Sequence, residues 1–264
     1  MTSGYTKRKW MGEMFKWTVL VLFWISRVSV GERIRRTTPE EASTLTELHN
    51  EIRRGEYASN MEKLKWNSDL ANLAQRWVDA CDWNYGTEAG FETDAGFSSL
   101  GQTLYQTTSA PIDVGGAVNY WKGERTFFRG GKCILAGKCD NFIAMIWATS
   151  TDFGCAYASC DTIATADISN AILMTCYYGP GGDIATTEPF KEGSNCTQCS
   201  SRRGWCYEGL CNSECKERSN ECDCQAHCYC GILQADCSCK CFNGWNGNDC
   251  SGKLLRVYDL AEVF

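Results

Sequence analysis

Histidine is scarce in this chain, which has only His49 and His227 in 264 residues. A Ser-His-Asp hydrolase needs a histidine that accepts a proton from a positioned serine, and no Gly-x-Ser-x-Gly turn presents one. The glycine-rich stretches Phe128–Lys132 and Tyr178–Asp183 lack the Gly-Lys-Ser/Thr sequence that cradles phosphates. The sequence therefore argues against hydrolysis and phosphate binding. It predicts that both stretches are turns in which glycine adopts backbone angles that other residues avoid.

Basic residues form no stripe outside the N-terminus, and the net charge of −6 with a pI near 5.1 argues against a nucleic-acid partner. A membrane-spanning helix needs about 20 apolar residues. The apolar run Trp17–Ile25 stops short of that length at Ser26 and Arg27. Basic residues precede this run and the small-residue segment Ser29–Gly31 follows it, so it predicts a secretion signal cut near Gly31 rather than the alternative, a membrane anchor.

Cysteine is abundant and unevenly distributed. Of nineteen cysteines, thirteen lie between Cys196 and Cys250. So short a segment buries too little apolar surface to fold without cross-links, so the crowding predicts a small disulfide-rich part beginning near Pro189 and an oxidising compartment. Thirteen is odd, so one thiol either stays free or pairs between chains. A disulfide-linked dimer is therefore a hypothesis, which a non-reducing gel showing only monomer would reject.

Apolar periodicity predicts three helices and two strands. A capping box at Thr38–Glu41 begins the first helix, Ser68 caps the second, and Asp113 begins the third. Aromatic and β-branched residues predict strands at Asp152–Ala158 and Ile168–Tyr178. The apolar face of the first predicted helix comprises Leu45, Leu48, His49 and Ile52.

A series of motifs in a fixed order resembles the CAP superfamily, which groups cysteine-rich secretory proteins, antigen 5 and pathogenesis-related 1 proteins. The block Cys133–Pro180 carries a helical turn around Trp147, then Gly154-Cys155-Ala156, then a strand ending in Cys176-Tyr-Tyr-Gly-Pro. Further matching segments are Leu48–Arg54, Lys63–Trp77, Gly101–Tyr105 and Asn119–Glu124. The resemblance covers about Glu40 to Asp183. It implies an α+β fold, an α-β-α sandwich with a mainly antiparallel sheet, and the disulfides Cys81–Cys160, Cys133–Cys139 and Cys155–Cys176.

The resemblance also implies a cleft, which in many members holds two histidines and two glutamates suited to zinc. Carried over, these positions are His49, Gln102, Glu124 and Asn141. Gln102 and Asn141 are poor zinc ligands and cannot act as general bases. The sequence therefore predicts no catalytic residue, no metal and no cofactor. His49 and Glu124 are expected to form a hydrogen-bonded pair that supports the helices, with metal binding as the alternative.

The cysteine-rich end resembles two known pieces. The segment Asn195–Cys215 resembles the hinge of cysteine-rich secretory proteins, and Cys239–Cys250 resembles the end of an epidermal-growth-factor-like (EGF-like) module, which implies a Cys241–Cys250 bridge. Asn195-Cys196-Thr197 is a glycosylation sequon. His227 among cysteines suggests either zinc ligation or, favoured by secretion, structural disulfides. Asn220–Cys222 matches half of the sequence that begins the calcium-binding variant of this module. Arg218, however, stands where an Asp or Asn oxygen ligand is needed.

Five segments follow: a signal peptide at 1–31, a CAP domain at 40–188, a hinge at 189–216, an EGF-like module at 217–251 and a tail at 252–264. The predicted protein is secreted and non-enzymatic, and acts by binding an extracellular receptor, channel or matrix protein. The alternative is a secreted sterol or lipid carrier. A hydrolase that uses His49 and Glu124 is disfavoured because the cleft is degenerate.

Overall fold

The computed structural model of the chain describes residues 36–86, 95–183, 187–201, 203–215 and 222–253. The predicted signal peptide, the calcium-binding opening before Cys222 and the tail beyond Lys253 lie outside these residues. Within them, no helix combines the length and apolar character needed to cross a membrane. The predicted segment boundaries remain predictions.

Four helices are present in this part of the chain: α1 Pro39–Arg54, α2 Ser68–Asp79, α3 Val114–Gly123 and α4 Asp140–Met145. The predicted capping box of α1 is confirmed, because Thr38 and Glu41 each accept a hydrogen bond from the other's backbone N–H. The predicted cap of α2 is wrong by one residue. Asn67 caps this helix by accepting from the N–H groups of Asp69 and Leu70, and Ser68 is the first helical residue.

Two long strands and two shorter ones form the central sheet: β1 Lys65–Trp66, β2 Gly101–Thr107, β5 Asp152–Ile163 and β6 Ile168–Gly179. Their order is β1-β5-β6-β2. β6 pairs antiparallel with both β5 and β2, and β1 runs parallel to β5. A small hairpin, β3 Phe128–Arg129 and β4 Lys132–Cys133, and two 3-10 turns at Glu124–Phe127 and Ala164–Ala166 complete this part.

Helices cover both faces of the sheet, as the α-β-α sandwich predicts. One apolar cluster joins α1, α3 and α4 to one face of β5 and β6, and includes Trp121 and Phe153. A second cluster packs α2 on the opposite face, and includes Leu70 and Tyr177. The strands are buried on both sides, which explains why they read as nearly continuous apolar runs. Gly154 allows the close packing of α2, because a Cβ at this position would lie 2.2 Å from the backbone nitrogen of Ala71.

Arg53 is a fully buried cation at the end of α1. Its guanidinium donates hydrogen bonds to backbone carbonyl oxygens on two separate segments, those of Glu62, Met145, Trp147, Ala148 and Ser150. The fork of five N–H donors suits this task, since each donor can meet a carbonyl in a fixed geometry. Arg53 therefore joins α1 to the loop that follows α4.

The two glycine-rich stretches need glycine for different reasons. Gly130 and Gly131 have φ angles of 56° and 74°, so the prediction of turn glycines is confirmed for the first stretch. The prediction is wrong for Gly181 and Gly182, which do not have positive φ. A Cβ on Gly182 would lie 1.6 Å from the ring of Trp147. Glycine is needed there because the backbone lies against an indole ring.

The C-terminal region, residues 187–253, contains short strands in three small sheets. Trp205–Tyr207 (β7) pairs with Leu210–Cys211 (β8) and with Asp223–Cys224 (β9). Gly231–Leu233 (β10) pairs with Cys239–Cys241 (β11), and Trp245–Asn246 (β12) pairs with Gly252–Lys253 (β13). Strands β7 and β8 belong to the predicted hinge, and β9 belongs to the predicted EGF-like module. The two predicted segments therefore share one sheet.

Nine disulfides occur among the described residues. Three lie in the sandwich and are the pairs that the resemblance implies: Cys81–Cys160, Cys133–Cys139 and Cys155–Cys176. Six lie in the C-terminal region: Cys196–Cys206, Cys199–Cys211, Cys215–Cys222, Cys224–Cys237, Cys228–Cys239 and Cys241–Cys250. The last three use six cysteines paired first with third, second with fourth and fifth with sixth. Cys230 is the extra, unpaired cysteine.

The hinge packs directly on the sandwich. The Cys211 N–H donates to the Met61 carbonyl, and the Lys63 N–H donates to the Cys211 carbonyl. The buried Glu62 carboxylate accepts from the hydroxyl and the N–H of Ser200. Lys63 lies over the Tyr207 ring, with its Nζ 4.0 Å from the ring centroid. These contacts attach the C-terminal region to the segment between α1 and α2.

Candidate functional site

A cleft of about 350 Å³ opens where β2 begins, beside α4 and the chain after β6. Its walls are largely apolar, with few polar groups. It is lined by Tyr85, Gly86, Leu100, Gly101, Gln102, Asp140, Ile143, Ala144, Trp147, Ser150, Gly181 and Gly182. A concave apolar pocket with a few converging polar groups is the usual form of a ligand site.

Asn141 connects several elements behind this cleft. It lies on α4, where its amide nitrogen donates to a Glu124 carboxylate oxygen at 2.6 Å. Its amide oxygen accepts from the Leu104 N–H at 2.9 Å and from the Tyr85 hydroxyl at 3.0 Å. Trp121 donates its indole N–H to the Leu104 carbonyl. Because β2 lies at the edge of the described sheet, Asn141 and Trp121 satisfy backbone groups of Leu104 that no described strand pairs.

Glu124 has both carboxylate oxygens engaged. One accepts from Asn141 and the other accepts from the Phe142 N–H at 3.1 Å. Burial raises the pKa of Glu124, and these hydrogen bonds oppose that shift. Glu124 therefore holds the start of α4 in place.

Gln102 lies on β2 and is also fully engaged. Its amide oxygen accepts from the Gly86 N–H at 2.9 Å, and its amide nitrogen donates to the hydroxyls of Thr175 and Tyr177. It therefore holds the segment around Gly86 against the sheet.

His49 does not reach the cleft, so its assignment to a cleft position is wrong. The side chain is fully buried on α1, with one ring nitrogen 2.7 Å from the Leu45 carbonyl and the other 2.8 Å from the Tyr178 hydroxyl. The Leu45 carbonyl can only accept, so Nδ1 carries the proton and Nε2 accepts from Tyr178. The predicted His49–Glu124 hydrogen bond is also wrong, since Glu124 bonds to Asn141 and Phe142. Burial lowers the pKa of His49 to about 4, so the ring is neutral at pH 7.

Tyr85 occupies the fourth cleft position and was missed from the sequence. Its hydroxyl donates to Asn141, which places it beside Glu124 and near Gln102. Desolvation, then the charges of Glu124 and Asp140, raise the pKa of Tyr85 to about 12. Tyrosine is not a residue type that the family cleft implies, so the sequence did not indicate it. The available signal was its position four residues after Cys81, whose disulfide to Cys160 anchors this segment.

These four residues do not fit the zinc that the family cleft suggests. Zinc takes imidazole, thiolate or carboxylate ligands, whereas Tyr85 is a neutral phenol and Gln102 and Asn141 are amides. The one carboxylate, Glu124, has both oxygens taken by N–H donors. We therefore derive no chemistry through a metal here.

The C-terminal candidates are structural. His227 packs edge-on against Tyr229, with ring centroids 4.8 Å apart. The sulfur atoms of Cys196, Cys199 and Cys211 lie within 4.8 Å of one another, but all three are in disulfides and offer no thiolate to a metal. The Asn195 amide donates to the Gly209 carbonyl at 2.9 Å. Glycosylation at Asn195 remains a prediction.

Comparison with known proteins places the chain in a family. Residues 46–178 match the model of "CAP: Cysteine-rich secretory protein family". Human Peptidase inhibitor 16 is 29% identical over 66% of this chain and 36% of its own length, so the chain spans about a third of that relative. Scoloptoxin SSD976 of Scolopendra dehaani is 28% identical over 74% of this chain and 95% of its own. The structure of Hookworm Platelet Inhibitor superposes with a TM-score of 0.55 and 22% identity, and the match covers 70% of this chain and 96% of that one. With its sandwich, its disulfides and this match, the chain belongs to the CAP, or cysteine-rich secretory protein, family.

Proposed function

We propose that this chain is an extracellular, non-enzymatic binding protein. The observation that supports this most is the closed hydrogen-bond network behind the cleft. Glu124, Asn141 and Tyr85 satisfy one another, and none is left as a nucleophile, a general base or a metal ligand. His49 is buried elsewhere as a neutral ring. Nothing in this arrangement favours the sterol or lipid carrier.

The surface for a protein partner is proposed to include the EGF-like module. Four large apolar side chains, Tyr229, Ile232, Leu233 and Phe242, are each at least 50% exposed there. We call these four residues the module patch. Ile232 and Phe242 lie on one face of the β10–β11 pair, and Leu233 points to the other face. Exposed apolar side chains are typical of interaction sites. Peptidase inhibitor 16 is named for inhibition, an effect exerted by binding, which agrees with this proposal.

The cleft half of the proposal is tested by restoring the family's residues. We expect the secreted protein to give no zinc-binding heat by calorimetry. The triple variant Tyr85→His, Gln102→Glu, Asn141→His supplies imidazole and carboxylate ligands beside Glu124 and is expected to gain zinc binding. His49→Ala, which alters no cleft residue, is the control and is expected to stay without zinc. Zinc binding by the wild type that Glu124→Gln abolishes would overturn the proposal.

The binding half is tested with two baits. The secreted wild-type protein and an Ile232→Ser, Phe242→Ser variant are incubated with extracellular matrix extract, and retained proteins are compared by mass spectrometry. We expect proteins that the wild type retains and the variant loses. A control bait, Tyr120→Ser, removes an exposed aromatic ring from the sandwich instead. Equal retention by all three baits would contradict a role for the module patch.

We also propose that Cys230 links two chains. Its carbonyl accepts from the Phe242 N–H, which continues the β10–β11 pairing, so strand alternation places Cys230 on the same face as Ile232 and Phe242. The thiol is partly exposed. A non-reducing gel of the secreted protein is expected to show a dimer that Cys230→Ser abolishes, and only monomer in the wild type would reject this.

A further inference from the structure

Trp147 brings to the cleft an indole N–H that no described residue uses as a hydrogen-bond donor. Trp147 lines the cleft and is only 7% exposed, yet its indole N–H has no hydrogen-bond partner among the residues that the structure describes. A ligand that supplies an acceptor here gains a hydrogen bond that no described residue already makes with this donor. A carbonyl oxygen is a suitable acceptor.

The cleft also has an unpaired negative charge at its rim. Asp140 is exposed, and no lysine, arginine or hydrogen-bond donor in the described part of the chain contacts its carboxylate. None of the described residues that line the cleft is basic. Glu124, half-buried behind Asn141, adds a second negative charge on the same side, and both charges act on the Tyr85 hydroxyl. The cleft therefore disfavours anions and favours a cation.

The cation is an organic one. Both Glu124 oxygens are engaged, so Glu124 and Asp140 cannot together ligate a metal ion. Between the Trp147 donor and the Asp140 carboxylate the wall is apolar, formed by Ile143, Ala144 and the half-exposed ring of Tyr85. Such a wall accommodates an alkyl stem, and a tyrosine ring attracts a cationic head group.

We infer that the cleft receives a lysine or arginine side chain from the protein partner. The backbone carbonyl of the inserted residue accepts from Trp147, its alkyl stem lies along Ile143 and Ala144, and its charged end meets Asp140 beside Tyr85. This inference rests on the proposed function, because it names the chemistry of the partner at the cleft. A volume of about 350 Å³ suits one long side chain, not a folded element.

The experiment uses the full secreted chain and four blocked tripeptides, Ac-Gly-Xaa-Gly-NH2, with Arg, Lys, Gln or Glu in the centre. Binding is followed by NMR through the Trp147 indole N–H signal, assigned with Trp147→Phe. We expect the Arg or Lys peptide to bind at least about tenfold more tightly than the Gln peptide, which corresponds to about 1.4 kcal/mol. The Glu peptide is expected to bind more weakly than the Gln peptide. Equal binding of Arg, Lys and Gln peptides would overturn the inference.

Two variants separate charge from fold. Asp140→Asn is expected to remove the preference for basic peptides over the Gln peptide, because it removes the rim charge. Asp167→Asn is the control: it changes an exposed aspartate at the opposite end of β6 and is expected to keep the preference. An unchanged preference in Asp140→Asn would contradict the inference. The matrix-extract experiment depends on the module patch, so its result fails or succeeds independently of this one.

Discussion

The sandwich and the C-terminal region are stabilised in different ways. The sandwich buries two large apolar clusters and, among them, polar side chains such as His49, Arg53 and Asn141 that find every partner inside the protein. The C-terminal region has two small clusters made mostly of cysteines, around Trp205 and around Cys199, and it carries six of the nine described disulfides. A short chain cannot bury enough apolar surface, so covalent cross-links replace a core.

The largest difference between the sandwich and the C-terminal region is expected when the disulfides are reduced. With a strong reductant, we expect strands β10 to β13 to lose their structure, because disulfides are their main constraint. The hinge should keep part of its structure, since Leu210 is buried in the apolar cluster of the sandwich. Strands β5 and β6 should keep slow amide exchange, since their burial does not depend on the three sandwich disulfides alone. Hydrogen exchange read by mass spectrometry, with and without reductant, measures both regions in one sample. Simultaneous loss of protection in β5 and β10 would show that the contrast is wrong.

Acid should affect the sandwich through His49. Its pKa is about 4 in the folded protein and 6.5 ordinarily, so the unfolded chain binds a proton first as the pH falls. The contribution of His49 to stability is therefore fully present well above pH 6.5 and is lost as the pH falls from there towards 4, by roughly 2 to 3 kcal/mol. Burial raises the pKa values of Glu62 and Glu124, so the folded protein binds protons at these groups before the unfolded chain does. These two groups therefore oppose the loss of stability caused by His49 as the pH falls.

The His49 contribution is isolated by comparing variants. His49→Gln should lose this part of the pH dependence of urea unfolding. His227→Gln, which replaces the exposed second histidine, is the control and should behave like the wild type. If both variants keep the wild-type slope, His49 is not the group that titrates.

Asn141 tests whether the sandwich depends on buried polar contacts. Asn141→Leu keeps the size of the side chain but leaves the Leu104 N–H and one Glu124 oxygen without a partner. We expect a loss of about 2–3 kcal/mol in the free energy of unfolding. Asn119→Leu, at an exposed position on α3, should change it by less than about 0.5 kcal/mol. Similar values for the two variants would deny the network a structural role.

The smallest effect is expected where the two regions meet. Arg54 and Glu208 form an ion pair at 2.7 Å, with Glu208 largely exposed. Water and salt screen such a pair, so Glu208→Gln should cost less than about 1 kcal/mol. High salt should erase the difference between the variant and the wild type. A loss that persists at high salt would indicate that this contact contributes more to the junction than charge.

Local sequence predicted α1, α2 and α3, but the helical turn predicted around Trp147 is wrong, because α4 ends at Met145. The one error at a helix start has a tertiary cause. Asn67 and Ser68 are both good capping residues, so their types cannot decide between them. In the structure, the Asn67 N–H donates to the Phe153 carbonyl and its amide donates to Asp152. Contacts with β5 therefore hold Asn67 outside the helix, and sequence alone does not show them.

The cleft was half predictable. The family motifs identified Gln102, Glu124 and Asn141 as cleft positions, and these three residues do lie close together. His49 was misplaced although it belongs to the apolar face of the first helix, which is the pattern of a buried residue. Tyr85 carried no histidine signal at all. The pairing of the cysteines between Cys196 and Cys239 could not be predicted, because many connectivities are compatible with the same spacing.

Arg53 has a consequence for the order in which the chain folds. Its carbonyl partners at Met145, Trp147, Ala148 and Ser150 are about a hundred residues further along the chain, since the separations are 92 to 97. In a nascent chain that ends before α4, most of the carbonyl groups that accept from Arg53 have not yet been synthesised. Burial of the Arg53 guanidinium is therefore unfavourable until these carbonyl groups are present. Docking of the first helix must then await synthesis of most of the sandwich, which makes it a late, non-local step.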